Sequence, residues 1–229
     1  MLHPIAIAHT PFKEKFAIPR QPSLAPAACG IIELLPPFND PLALEGLNQV
    51  SHIWLLFEFH AVGAQDHSLR VRPPRLGGNE KIGVFATRST HRPNGIGLSV
   101  VKLDKIEGTR LYVSGVDLLD GTPIVDIKPY VPYVDAVASA YNRIAQTPPS
   151  CVQVSFSFDA QQQAQQHSQR LAQDVQALVE QCLAQDPKPA YQKPEPTRQY
   201  GVKLWDIDVR WHYLNATHIE VINLSGSAV

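Results

Sequence analysis

Four residues that resist regular structure, Pro93, Asn94, Gly95 and Gly97, fall within five positions near the middle of this 229-residue chain. No regular element passes through such a cluster, and Pro93 also drives Arg92 toward an extended backbone. Upstream, Val84, Phe85 and Ala86 lie between turn residues and predict a strand over residues 82–87. Downstream, residues 98–103 resume a strand pattern. The expected local fold is a strand, a rigid loop and a returning strand. The loop carries Arg88, Ser89, Thr90, His91, Arg92 and Asn94. Donors fixed in this way suit an anionic or carboxylate-bearing ligand, because guanidinium groups grip such groups with two parallel hydrogen bonds.

Short β-rich runs recur on both sides of the loop, at residues 5–8, 29–35, 52–59, 99–106, 110–116 and 122–127. Pro36-Pro37, Gly77-Gly78 and Asp120-Gly121 punctuate them. Short strands without long helices between them predict an antiparallel sheet or barrel over residues 1–137. A short helix is expected at residues 40–47, where Pro41 suits a first turn. No GxGxxG follows the first strand, so a Rossmann plan is not supported. The run 53–59 reads as buried on both faces, which makes Glu58 costly unless it is paired.

The pattern changes beyond Pro148-Pro149. Residues 152–158 alternate with period two. Residues 160–184 are helix formers, with Leu171, Val175, Leu178, Val179, Cys182 and Leu183 at helical spacing. Asp159 is the expected cap. The Gln-rich start, residues 161–166, is largely polar on all faces and expected to fray or to lie in solvent. Asp186-Pro187 stops the helix, and two strands are expected at 203–211 and 218–224. Tyr200, Trp205, Trp211 and Tyr213 read as core. The chain is thus expected to be mainly β: an antiparallel β-barrel N-terminal domain over 1–137 and a small α+β C-terminal domain over 150–229.

Net charge is −1, which gives no reason by itself to expect nucleic acid. Its distribution does. Arg70, Arg72, Arg75, Lys81, Arg88 and Arg92 face one anion, Glu80, within residues 70–92, a local +5. A basic strip on a near-neutral chain is the footprint of a phosphate partner. Cys29, Cys151 and Cys182 are far apart and odd in number, so neither a zinc pattern nor a disulfide framework is expected. The N-terminus lacks the pattern of a signal peptide, and no apolar run approaches membrane-spanning length. A reducing cytoplasm is the expected setting.

The stretch from Gly83 to Gly97, GVFATRSTHRPNGIG, resembles the signature of the TrmO family, also called YaeB or TsaA-like. Residues 16–22, 51–57 and 117–130 fit the same family in the same order, and residues 186–191 extend the resemblance into the bacterial C-terminal region. The resemblance implies a β-barrel S-adenosylmethionine-dependent tRNA methyltransferase. The implied reaction methylates N6 of a threonylcarbamoyl-modified adenosine beside the anticodon. It further implies a homodimer with the cofactor site near the subunit interface, and no metal.

Carried over residue by residue, the resemblance places Arg88 and Leu98 against the cofactor. It does the same for Arg20, Gln21, Pro22 and Ser23, for His60 and Ala61, and for Leu119, Asp120, Gly121 and Thr122. Gln21 suits either the adenine edge or the methionine carboxylate. Asp126 is either a base or simply a neighbour of Lys128 on one face of an extended stretch. Asp126, His60 and Tyr191 are the candidate bases. Arg70, Arg72 and Arg75 would meet phosphates, and Arg92 or Lys188 the threonyl carboxylate. Two other classes compete. A non-catalytic RNA-binding barrel predicts steeply salt-dependent RNA binding without cofactor affinity. A small-molecule hydrolase would need a metal or nucleophile constellation that the sequence does not display.

Overall fold

The computed structural model describes residues 2–63, 69–73, 80–188, 192, 194–195 and 197–226. These residues form two compact units. One comprises Met1–His9, Ile31–Val113 and Gly121–Pro149; the other comprises Thr10–Gly30, Ser114–Asp120 and Ser150–Val229.

The first unit carries a closed six-stranded antiparallel barrel. Its strands are β1 (Ala6–His9), β2 (Cys29–Leu34), β3 (His52–Glu58), β6 (Ile96–Glu107), β7 (Arg110–Ser114) and β8 (Thr122–Pro129). Around the barrel they run β1-β2-β7-β6-β3-β8. The period-two pattern fills the interior with Ala6, Ala8, Ile32, Leu34, Ile53, Leu55, Phe57, Val101, Leu111, Val113 and Ile124. A two-stranded ribbon, β4 (Arg70–Val71) with β5 (Ile82–Gly83), carries part of the basic strip.

Three expectations in this unit need correction. Residues 82–87 are not one strand, because β5 stops at Gly83 and Val84–Ala86 form a 3-10 turn. Thr87 closes that turn by donating both its N–H and its hydroxyl to the Val84 carbonyl. The segment at 40–47 is two 3-10 turns, Pro41–Leu44 and Leu47–Gln49, separated by Gly46 in the left-handed region. Finally, β3 is buried on one face only. His52, Trp54 and Leu56 are half-buried, and Glu58 sits exposed at the strand end without a desolvation cost.

The second unit holds a sheet in the order β10-β11-β12-β9, with β9 parallel to β12. Its strands are β9 (Gln153–Phe156), β10 (Tyr200–Leu204), β11 (Ile207–Asn215) and β12 (His218–Gly226). A four-residue helix, α1 (Pro132–Asp135), belongs to the first unit. The expected single long helix is two, α2 (Phe158–Leu171) and α3 (Val175–Ala184). Ala172 turns left-handed, Ser168 accepts the Val175 N–H, and Asp174 caps α3 by accepting the Ala177 N–H. Ser157, not Asp159, caps α2 through the Ala160 N–H. The Gln-rich start does not fray, although Gln161, Gln162, Gln165 and Gln166 face solvent as expected. Ala160 and Ala164 are fully buried, and Gln163 Oε1 accepts the Leu224 N–H at 2.7 Å. The expected strand at 203–211 is broken by a turn at Trp205, whose φ is 53°. Tyr200, Trp211 and Tyr213 are core residues as expected.

Candidate active site

The loop after Ala86 is held by its own side chains. Thr87 Oγ1 accepts the Ser89 N–H at 3.2 Å. Arg92 Nη1 donates to the carbonyls of Thr87 and Ser89 at 3.2 and 3.3 Å, so this guanidinium braces its own loop. Arg92 is extended, at φ −139° and ψ 155°, as the following proline demands. Asn94 and Gly95 are consecutive left-handed residues, at φ 64° and 59°, a conformation these two types tolerate. Gly97 is needed for another reason: a Cβ there would lie 2.3 Å from the Phe57 ring. The locked loop leaves Arg88 exposed. Phe85 and Leu98 flank it in sequence and are 77% and 52% exposed, unusual for large apolar side chains.

The Gly95 carbonyl accepts the Phe59 N–H at 2.7 Å, which ties the end of β3, and so His60 and Ala61, to this loop. Both residues are exposed. Leu98 pairs with Leu56 across β6 and β3, and Leu56 pairs with Asp126 across β3 and β8. Paired residues project to one face, so Leu98 and Asp126 stand in one row on the outside of the barrel, about 10 Å apart. A β-bulge beside Asp126, opposite Leu56 and Phe57, aims it. Its Oδ1 accepts the Ile127 N–H at 2.9 Å, and Lys128 Nζ lies 3.0 Å from Oδ2. The first unit therefore sets Leu98 and Asp126 in one row and ties the end of β3, ahead of His60 and Ala61, to the loop that carries Arg88.

Arg20, Gln21, Pro22, Ser23, Leu119 and Asp120 belong to the second unit. Gln21 is extended and leads into a 3-10 turn over Pro22–Leu24. Arg20 and Ser23 are exposed, whereas Gln21 and Pro22 are half-buried. The Asp120 carboxylate is engaged within the second unit. Oδ1 accepts the Thr10 N–H at 2.8 Å, and Lys13 Nζ donates to Oδ2 at 2.6 Å. The Thr10 hydroxyl donates to the Leu118 carbonyl at 2.8 Å, and the Asp120 N–H donates to the Phe12 carbonyl at 2.8 Å. This brace shapes the turn, and the Gly121 N–H adds to it by donating to the Ala8 carbonyl at 2.9 Å. Gly121 follows in the left-handed region at φ 78°, and Thr122 is buried.

Lys188 is 10% exposed and donates to Asp186 Oδ2 at 2.5 Å. The Tyr213 hydroxyl donates to Asp186 Oδ1 at 2.7 Å, and burial followed by that bond pushes its pKa far above the usual phenol range. Lys188 Nζ also lies over the Tyr213 ring. The Asp-Pro-Lys segment is thus locked to β11. In the basic strip, Arg70 donates to the Lys81 carbonyl at 2.7 Å, and Arg72 and Lys81 are exposed. Arg75 and Tyr191 lie outside the described residues. Among the described residues no group of three or more His, Cys, Asp or Glu could hold a metal, and no helix is long and apolar enough to cross a membrane.

Sequence reasoning missed Thr10, Lys13, Gln181 and Gln185. Thr10 and Lys13 flank Pro11-Phe12 and look like an ordinary turn, because their partner lies more than a hundred positions away.

The N-terminal domain model of tRNA-methyltransferase O matches residues 7–136, and the TrmO C-terminal domain model matches residues 149–227. A candidate S-adenosylmethionine-dependent methyltransferase of Pseudomonas aeruginosa, RcsF, is 63% identical over 97% of this chain and 96% of its own. The tRNA (adenine(37)-N6)-methyltransferase of Escherichia coli K12 is 44% identical over 93% of this chain and 92% of its own. The crystal structure of TrmO from Pseudomonas aeruginosa matches with a TM-score of 0.85 at 56% identity, covering 99% of this chain and 97% of that one.

Proposed function

The chain belongs to the tRNA-methyltransferase O family, and from that premise we propose that it transfers the methyl group of S-adenosylmethionine to N6 of adenosine 37 in tRNA. The observation that carries this reading is the 44% identity to the Escherichia coli enzyme, which runs almost end to end through both chains.

The residues present fit the cofactor. Exposed Arg88 offers a guanidinium to a carboxylate, and the exposed apolar surfaces of Phe85 and Leu98 suit an adenine ring. The braced turn at Leu119–Gly121 offers backbone carbonyls, its Asp120 and Gly121 N–H groups being held by the carbonyls of Phe12 and Ala8. When bound, S-adenosylmethionine supplies a methyl group on a sulfonium leaving group. The protein's own work is alignment, because an in-line displacement is accelerated mainly by positioning.

The finer substrate is an adenosine already carrying a threonylcarbamoyl group on N6. That nitrogen is attached to a carbonyl, its lone pair is delocalised, and loss of its proton raises its nucleophilicity. His60, Asp126 and Tyr191 are the candidate bases; the exposure of His60 and the position of Asp126 in one row with Leu98 support the first two. Arg70, Arg72 and Arg75 meet tRNA phosphates, while Arg92, half-buried on its own loop, orders the surface the substrate meets. The protein acts as a homodimer in the cytoplasm, and the apolar area of Phe85, Leu98 and Leu69 supports a covered face on the barrel unit.

The test incubates the protein and S-adenosylmethionine with tRNA bearing the threonylcarbamoyl group and, separately, with unmodified transcript, followed by mass spectrometry of the nucleosides. The modified adenosine gains one methyl and the transcript gains none. Equal methylation of both removes the finer substrate. RNA retention without any methyl transfer supports the binding-module reading instead.

A further inference from the structure

Residues 20–27 are a segment with few ways to hold itself. Pro22 and Pro26 lack N–H groups, and the internal bonds are those of short turns: Leu24 N–H to the Gln21 carbonyl, Ala25 to Pro22 and Ala28 to Ala25. The ends are held from elsewhere, by one helix. The Arg20 N–H donates to Gln185 Oε1 at 3.2 Å, and the Ala27 N–H donates to Gln181 Oε1 at 2.9 Å. Gln181 and Gln185 stand one turn apart on the same side of α3 and just beyond its end, so their acceptors are spaced about 6 Å along the axis. Gln185 Nε2 donates to the Gln181 carbonyl at 3.1 Å, which fixes the orientation of the amide.

Gln185 is 7% exposed, beside the buried Cys182 and Leu183. A buried amide costs free energy unless its bonds are used, and an apolar residue of the same size would pack there without that cost. The bonds to the loop and to the helix account for its presence. The segment they brace contains Arg20, Gln21, Pro22 and Ser23.

We infer that Gln181 and Gln185 are positioning residues for S-adenosylmethionine: α3 clamps residues 20–27 in the shape that meets the cofactor. The inference rests on the reading that residues 20–23 lie against the cofactor. It makes the C-terminal region a requirement for cofactor affinity, although neither glutamine touches the ligand.

The test measures S-adenosylmethionine affinity and steady-state methylation for Gln185→Leu, Gln181→Leu and Gln181→Glu in the full chain, with far-ultraviolet circular dichroism confirming folding. Gln185→Leu keeps the volume and removes the acceptor; it raises Kd and KM for S-adenosylmethionine about tenfold, the effect of about 1.4 kcal/mol. Its kcat at saturating cofactor and its KM for tRNA stay at wild-type values. Gln181→Leu shifts KM in the same direction, and Gln181→Glu, which keeps an acceptor oxygen, restores it. Folded Gln185→Leu and Gln181→Leu proteins with wild-type affinity overturn the clamp. If Gln185→Leu fails to fold, the Gln181 pair decides by the same criteria. Wild-type protein that binds no S-adenosylmethionine overturns the proposed function, and the clamp with it.

Discussion

Residues 87–97 and residues 20–27 are held in opposite ways. The first segment is locked from within. Thr87, Arg92, Asn94 and Gly95 fix its backbone, and Gly97 lets β6 lie against Phe57. The second is locked from outside, by Gln181 and Gln185 more than a hundred and fifty positions away. A self-locked loop can lose a ligand-facing side chain and keep its shape. A loop held by a distant helix can lose its function through a residue that never meets the ligand.

The largest effect expected from this contrast is on Arg88. It is an exposed side chain on a loop that other residues lock. Arg88→Ala should weaken S-adenosylmethionine roughly 10- to 100-fold, the loss of a charge-assisted hydrogen bond of about 1.5–3 kcal/mol, while the protein stays folded. A folded variant with unchanged affinity removes Arg88 from the site. Gly97→Val attacks the lock itself. Its added carbons meet the Phe57 ring, and urea denaturation should show a loss of about 1–3 kcal/mol. An unchanged midpoint would show that β6 can move away from β3.

Thr10→Val probes the second kind of support. It leaves the Leu118 carbonyl without its hydroxyl donor and should cost about 1 kcal/mol of stability. It should also weaken S-adenosylmethionine a few-fold, whereas Thr10→Ser should restore both. Wild-type cofactor affinity in Thr10→Val would mean that the turn at Leu119–Gly121 shapes itself. The smallest effect is a control at an ion pair that belongs to neither loop. The Arg170 guanidinium, at 2.7 and 2.9 Å, holds the Asp206 carboxyl below its ordinary value of 3.8. A depressed carboxylate pKa stabilises the fold above the ordinary value, and that contribution is lost as pH falls through the depressed one. Asp206→Asn should therefore cost at most about 1 kcal/mol at neutral pH, fading as pH drops below 3.8, with cofactor affinity untouched.

What could be read in advance follows the same division. The barrel strands, the extended Arg92 and the shared face of Asp126 and Lys128 were legible because each depends on residues a few positions apart. The helix break at Ala172 was not. Nothing in an Ala-Gln-Asp tripeptide compels it, and Ser168 and Asp174 declare themselves as caps only once the turn exists. The Gln-rich start of α2 looked like solvent-facing helix because Gln163 finds its partner at Leu224. The brace on Asp120 was hidden because its partners, Thr10 and Lys13, belong to the start of the chain. In the candidate site, positions carried by one loop were visible, and supports reaching across the sequence were hidden.

Isothermal titration calorimetry of the purified full chain with S-adenosylmethionine, with S-adenosylhomocysteine as comparison, tests the central claim most directly. Saturable binding of both, one molecule per chain, is the predicted result. Folded protein that shows no binding, alone and again with tRNA present, would contradict the methyltransferase assignment and leave a barrel that binds RNA without chemistry.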